Sequence, residues 1–75
     1  MRFKTINSTY ELDQKKKRMR RIKGITAPTP NQGTDGEWKP YEEISPVEVG
    51  VSPLVWWNKH DNKATLLSQV QEVCA

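Results

Sequence analysis

Leu54-Val55-Trp56-Trp57-Asn58, then Lys59-His60-Asp61-Asn62-Lys63, then Ala64-Thr65-Leu66-Leu67-Ser68-Gln69-Val70: the reading of this run decides the fold. Two stretches rich in apolar, aromatic and β-branched residues flank a polar segment carrying Asp61-Asn62. That pattern predicts two antiparallel strands, 54–58 and 64–70, joined by a five-residue loop. Adjacent residues on a strand point to opposite faces, so Trp56 and Trp57 cannot enter one core unless the strand bends. One ring is therefore expected to be exposed or covered by a loop, and exposed tryptophans anchor many binding surfaces. The opposing expectation is that Trp38, Trp56 and one tyrosine simply fill a core poor in aliphatic residues. Trp56, Trp57, Trp38 and Tyr41 are the candidate partner-binding residues.

Upstream of this hairpin, Val47, Val49 and Val51 alternate with Glu48 and Gly50, which predicts a short strand between the breaks Ser45-Pro46 and Ser52-Pro53. Glu37–Ile44 reads as another strand with Trp38 and Ile44 in phase. Pro40 places it at a sheet edge or a bulge. Residues 24–36 read as a long loop: Gly24 ends the preceding element, Pro28 and Pro30 cannot donate to a ladder, and Asn31-Gln32-Gly33 and Asp35-Gly36 are turn chemistry.

The N-terminal third starts with Met1–Ile6, where Met1 and Phe3 alternate with Arg2 and Lys4, and continues with Ser8–Leu12, where Tyr10 and Leu12 share a side. Asp13-Gln14 makes a turn. Lys15–Lys23 fits a strand or a helix. As a strand it puts Met19 and Ile22 on opposite faces unless a bulge intervenes. A hairpin of 8–12 with 17–22 is the preferred reading. Ser68–Val73 fits a strand or one helical turn. Together these predict a mainly β chain forming a single small domain over 1–75. The architecture expected is a small curved antiparallel sheet, or an SH3-like half-open barrel, of five to six short strands.

Composition sets the limits. Seventy-five residues, 35% of them hydrophobic, make a marginal core, because chains this short bury only about 60% of their unfolded surface. The single cysteine, Cys74, excludes an internal disulfide framework. The N-terminus offers no apolar run suited to an export signal, and no stretch is long enough to span a bilayer, so a cytoplasmic protein without membrane attachment is expected. Asn7-Ser8-Thr9 matches the glycosylation sequon by chance on that reading.

Net charge is +3, but residues 1–25 hold nine Lys/Arg against Glu11 and Asp13, a net +7, and the remainder is −4. Lys15, Lys16, Lys17, Arg18, Arg20, Arg21 and Lys23 form the cationic run. Such density suits phosphate contact with nucleic acid without base readout. It suits equally an acidic protein partner, or a solvated hairpin whose lysines guard a sheet edge. Only Tyr10 lies close by as a stacking platform, and no RNP, KH, zinc-knuckle or heptad pattern is present.

His60 reads as a turn residue beside Asp61, and Cys74 lacks a partner histidine. Glu42 and Glu43 diverge on a strand. No nucleophile, base and orienting group converge in sequence, so no enzyme, metal or cofactor is expected.

Asn7-Ser8-Thr9-Tyr10-Glu11-Leu12-Asp13, Arg20-Arg21-Ile22, Pro28-Thr29 and Gly33-Thr34-Asp35-Gly36-Glu37-Trp38 together resemble short uncharacterised proteins of phages and their bacterial hosts. Leu66-Leu67-Ser68-Gln69-Val70 is similar to a diverged copy of a Thr/Ser-rich strand common in that group. The resemblance covers about half the chain and implies no assigned activity. By analogy it implies a small non-catalytic protein acting by occupying a surface of a host macromolecule. The other expectations are a nucleic-acid binder working through 15–23 and a structural accessory subunit of an oligomer or virion.

Overall fold

The computed structural model describes residues 1–25 and 33–74. The chain is all β over these residues, in eight strands: β1 (Arg2–Thr5), β2 (Ser8–Asp13), β3 (Arg18–Gly24), β4 (Lys39–Pro40), β5 (Glu43–Ile44), β6 (Leu54–Asn58), β7 (Lys63–Leu66) and β8 (Val70–Cys74). They build two antiparallel sheets, a five-stranded one in the order β4-β3-β2-β1-β8 and a three-stranded one in the order β5-β6-β7. The sheets do not close into a barrel. The chain joins them at two corners, passing from β4 through Tyr41 and Glu42 into β5, and from β7 through Leu67–Gln69 into β8. Each corner drives one side chain, Tyr41 or Leu67, into the interior.

Period-2 patterning explains the five-stranded sheet. In β2 the buried positions are Ser8, Tyr10 and Leu12, and in β1 they are Phe3 and Thr5. Phe3 lies directly opposite Tyr10, and their rings stack at 5.2 Å. The β2–β3 hairpin turns through 14–17, where the Asp13 carboxylate accepts the Lys16 N–H at 3.1 Å and Lys17 adopts a left-handed φ of 51°. The basic run is a strand that leaves Met19 and Ile22 on opposite faces: Met19 and Arg21 face inward and Ile22 does not. A bulge falls at Ile22, since Tyr10 opposes Arg21 while Thr9 opposes Lys23. Phe3, Tyr10, Leu12, Met19, Tyr41, Val55, Leu67 and Val70 form the core, with Ile44, Val47 and Trp57 packed against it.

The structure corrects the expected elements at 47–51 and in the strand count, and decides between the two readings of the end of the chain. Val47–Val51 is not a strand. Val49 is exposed, Gly50 turns at φ 89°, and Val51 N–H bonds back to the Glu48 carbonyl at 3.1 Å. Among the described residues its only backbone partner on a strand is Val70, which exchanges single bonds with Gly50 and Val51, too short a contact to extend a ladder. The end of the chain is a strand, β8, and not a helical turn. The strand count is eight, not five or six, because 37–44 and 64–73 each break at a corner where the chain changes sheets. Within the expected 24–36 loop, residues 26–32 lie outside the described residues. Residues 34–37 form a turn in which Thr34 N–H meets the Glu37 carboxylate.

Candidate functional site

The three-stranded sheet has two unlike faces. Val55 is fully buried and points to the core, so its strand neighbours Leu54 and Trp56 point away from it. On β7 Leu66 lies opposite Leu54 and Ala64 opposite Trp56, and directly opposed residues share a face. Leu54, Trp56, Ala64 and Leu66 thus form a contiguous apolar patch on the outer surface, with Leu66 67% exposed. The rim is polar. Glu43 sits opposite Trp56, and its carboxylate pairs with Lys59 Nζ at 2.6 Å. The hydrogen bond and charge of Lys59 hold the Glu43 carboxyl below the ordinary carboxylate range. The connecting turn is fixed by Asn58, whose side chain bonds Asp61 through both Nδ2 and Oδ1, and by Glu42, which accepts the Lys59 N–H at 2.6 Å. His60 is exposed in this turn.

Alternation from the buried Val55 separates the tryptophan pair, Trp56 outward and Trp57 inward, and the ladder shifts just beyond: Trp56 opposes Ala64 while Asn58 opposes Lys63, leaving Trp57 as the extra residue. Trp57 packs against the core and donates Nε1–H to Thr65 Oγ1 at 2.9 Å. Trp56 remains on the outer face. Each ring is half-buried, one from within and one from without.

The other two candidate aromatics lie elsewhere. Tyr41 is buried at the first corner, 7% exposed, so its ring is a core element and not a contact surface. Burial, then the Asp13 charge, pushes its hydroxyl pKa upward. Trp38 lies over the outer face of the five-stranded sheet, where the guanidinium carbons of Arg18 and Arg20 sit 4.4 and 4.5 Å from its ring centroid.

The basic run does not form one surface. Alternation sends Arg18 and Arg20 outward and Arg21 inward. Arg20 pairs with Glu11 at 2.6 Å and Arg18 with Asp13 at 3.3 Å. Asp13 is held below the ordinary carboxylate range first by the Lys16 N–H, which burial opposes, and then by the hydrogen bond and charge of Arg18. Arg21, only 5% exposed, pairs through Nε with Asp35 at 2.7 Å, and its carbonyl accepts the Gly36 N–H. Lys15, Lys16, Lys17 and Lys23 are exposed, with Lys17 Nζ donating to the Glu42 carbonyl at 3.1 Å. Among the described residues no three His, Cys, Asp or Glu side chains gather as a metal site, and no helix is long and apolar enough to cross a membrane.

Comparison with known proteins is silent. No family model, curated protein or solved structure matches the chain. The site therefore rests on geometry alone. Three of its residues, Leu54, Ala64 and Leu66, were not among the partner-binding candidates read from the sequence. The signal was present once the hairpin register is fixed, because residues 54 and 56 with 64 and 66 place apolar side chains on the face opposite Val55.

Proposed function

We propose that this chain is a non-catalytic binding domain that engages a protein partner through the outer face of its three-stranded sheet. One observation carries the reading: Leu54, Trp56, Ala64 and Leu66 lie together on the outer face inside a charged rim, Leu66 exposed and the other three half-buried. An apolar patch bounded by polar groups is the usual anatomy of a contact surface, and tryptophan is the residue most enriched among those that dominate binding energy. The two side chains best suited to chemistry, His60 and Cys74, sit exposed on different elements, in the β6–β7 turn and on β8.

Capture from nuclease-treated lysate tests this. A protein should be retained by the native chain, lost with Trp56→Ser by about 30-fold or more, and retained when Lys15, Lys16 and Lys17 become Gln. Loss of all bound material on nuclease treatment overturns the reading and favours phosphate contact through the exposed lysines. Four lysines of the basic run are exposed, Lys15, Lys16, Lys17 and Lys23, so phosphate contact through these predicts a log–log salt slope of about −4.

A further inference from the structure

Backbone hydrogen bonding marks one side of the three-stranded sheet as open. In an antiparallel ladder, residues alternate between those whose N–H and C=O face the paired strand and those whose groups face away. Leu67 N–H bonds the Pro53 carbonyl, which turns Leu67, and by alternation Thr65, toward β6. The carbonyls of Leu54 and Trp56 accept from Ser45 and Glu42 on the β5 side. Their opposites on β7, Leu66 and Ala64, therefore direct N–H and C=O to the outer edge, and no backbone bond beyond the ladders engages them among the described residues.

The remaining edges are poorer templates. β4 is Lys39-Pro40, and β5 is two residues long and runs into Ser45-Pro46; short length and proline both blunt an edge. On β8, Glu72 and Cys74 turn toward their β1 partners Lys4 and Arg2, which leaves Val73 facing outward. Pairing two copies about Glu72 would set carboxylates against each other.

We propose that β7 pairs with β7 of a second copy of this chain, antiparallel and centred on Thr65, to give a continuous six-stranded sheet. In that register Ala64 lies opposite Leu66 of the second copy and Leu66 opposite its Ala64, so every outward donor meets an acceptor, two bonds per pair. The side chains fit as well: the exposed Leu66 falls beside a small residue. The two Lys63 ammonium groups come to opposite ends of the ladder, so no like charges face each other. Pairing places the two apolar patches side by side, and each copy contributes Leu54 and Trp56 to one wider platform. The inference stands on the edge and not on the partner reading.

Sedimentation equilibrium and amide exchange of the native chain over a concentration series test it. Mass should rise with concentration from 8.7 kDa toward double that, and protection of the Ala64 and Leu66 amides should rise in step. Ala64→Pro should hold the protein monomeric with an unchanged circular dichroism spectrum, because a proline at an outward-facing N–H removes no bond within the chain. A monomer at every concentration with those amides unprotected overturns the proposal, as does a dimer in which they stay unprotected. The exchange measurement needs no variant, so it decides the matter even where Ala64→Pro fails to fold. Partner capture by a strictly monomeric chain would overturn this pairing and leave the partner reading standing.

Discussion

Leu66 and Leu67 are adjacent and chemically identical, yet the structure assigns them opposite consequences. Leu66 is 67% exposed on the outer face, whereas Leu67 is 3% exposed at the second corner. Full burial of a leucine side chain contributes about 1.5–3 kcal/mol, and only a third of that applies at Leu66. Leu66→Thr, which keeps a strand-compatible branched residue, should therefore cost roughly 0.5–1 kcal/mol. Leu67→Ala should cost about 2–5 kcal/mol, since it removes buried atoms and leaves a cavity. A chain of this length has on the order of 4–11 kcal/mol in total, so Leu67→Ala should bring it to the edge of unfolding while Leu66→Thr scarcely moves it. Urea denaturation followed by tryptophan fluorescence, at concentrations low enough to keep the chain monomeric, reads both. With m near 1 kcal/mol/M, the midpoints should fall by about 1 M or less and by about 2 M or more. A Leu66→Thr cost above about 2 kcal/mol, or a Leu67→Ala cost below about 1, would invert the two faces and refute the site.

Other substitutions probe single contacts. Thr65→Val removes the acceptor of the Trp57 indole N–H and should cost about 1 kcal/mol in the same urea assay, with a shift in tryptophan emission. Lys59→Gln should raise the Glu43 carboxyl midpoint in an NMR titration, because Lys59 is the main cause of its lowering, with a smaller effect from Lys17, and should leave Asp13 unmoved. Both carboxyls ionise more readily folded than unfolded, so their contribution is present above the unfolded carboxylate pKa and fades as pH falls through the folded one; stability should decline on acidification, and again at alkaline pH above the ordinary tyrosine pKa, because the buried Tyr41 hydroxyl ionises less readily folded than unfolded. A Cβ at Gly24 would lie 2.6 Å from Ser8 Oγ and 2.7 Å from Arg21 Nη1. Since Asp35 anchors Arg21, Gly24→Ala should cost about 1–3 kcal/mol, and a neutral result would show that the Arg21 head yields freely.

The sequence was most legible where one face of a strand is buried and the other wet. Phe3, Tyr10 and Leu12 declared β1 and β2, and the 54–58 strand appears with the bounds that its apolar run suggests. Valine alternation at 47–51 misled for a physical reason: period 2 marks a strand only where a neighbour offers a ladder, and here only Val70 does. The corners at Tyr41 and Leu67 were invisible because a chain that changes sheets keeps the composition of a strand while losing its pairing. At the candidate site Trp56 was legible and its setting was not. Which tryptophan faces outward depends on which face of β6 meets the core, fixed by the burial of Val55, and no local residue pattern announces it. The basic run was legible as charge, but its distribution was set by Glu11 and Asp13 on the neighbouring strand and by Asp35 from beyond the 26–32 segment.

The two outer faces of this molecule follow opposite rules, and the contrast supports a covered site. Across the five-stranded sheet, Arg2 and Arg20 approach Glu11, Arg18 approaches Asp13, and Lys4 approaches Glu72. Exposed pairs of this kind contribute little each, about 0–1 kcal/mol, but they make that face wet, and Trp38 is spanned by two guanidiniums. The three-stranded sheet spends apolar residues on its outer surface in a chain that has few, 35% in all. Cross-strand packing alone is a weak reason for doing so, because Trp56 stands opposite Ala64, which covers little of an indole, and such pairs contribute only about 0.2–1 kcal/mol. A face left apolar in so small a protein, beside an edge whose hydrogen-bonding groups turn outward, makes physical sense when another polypeptide completes it.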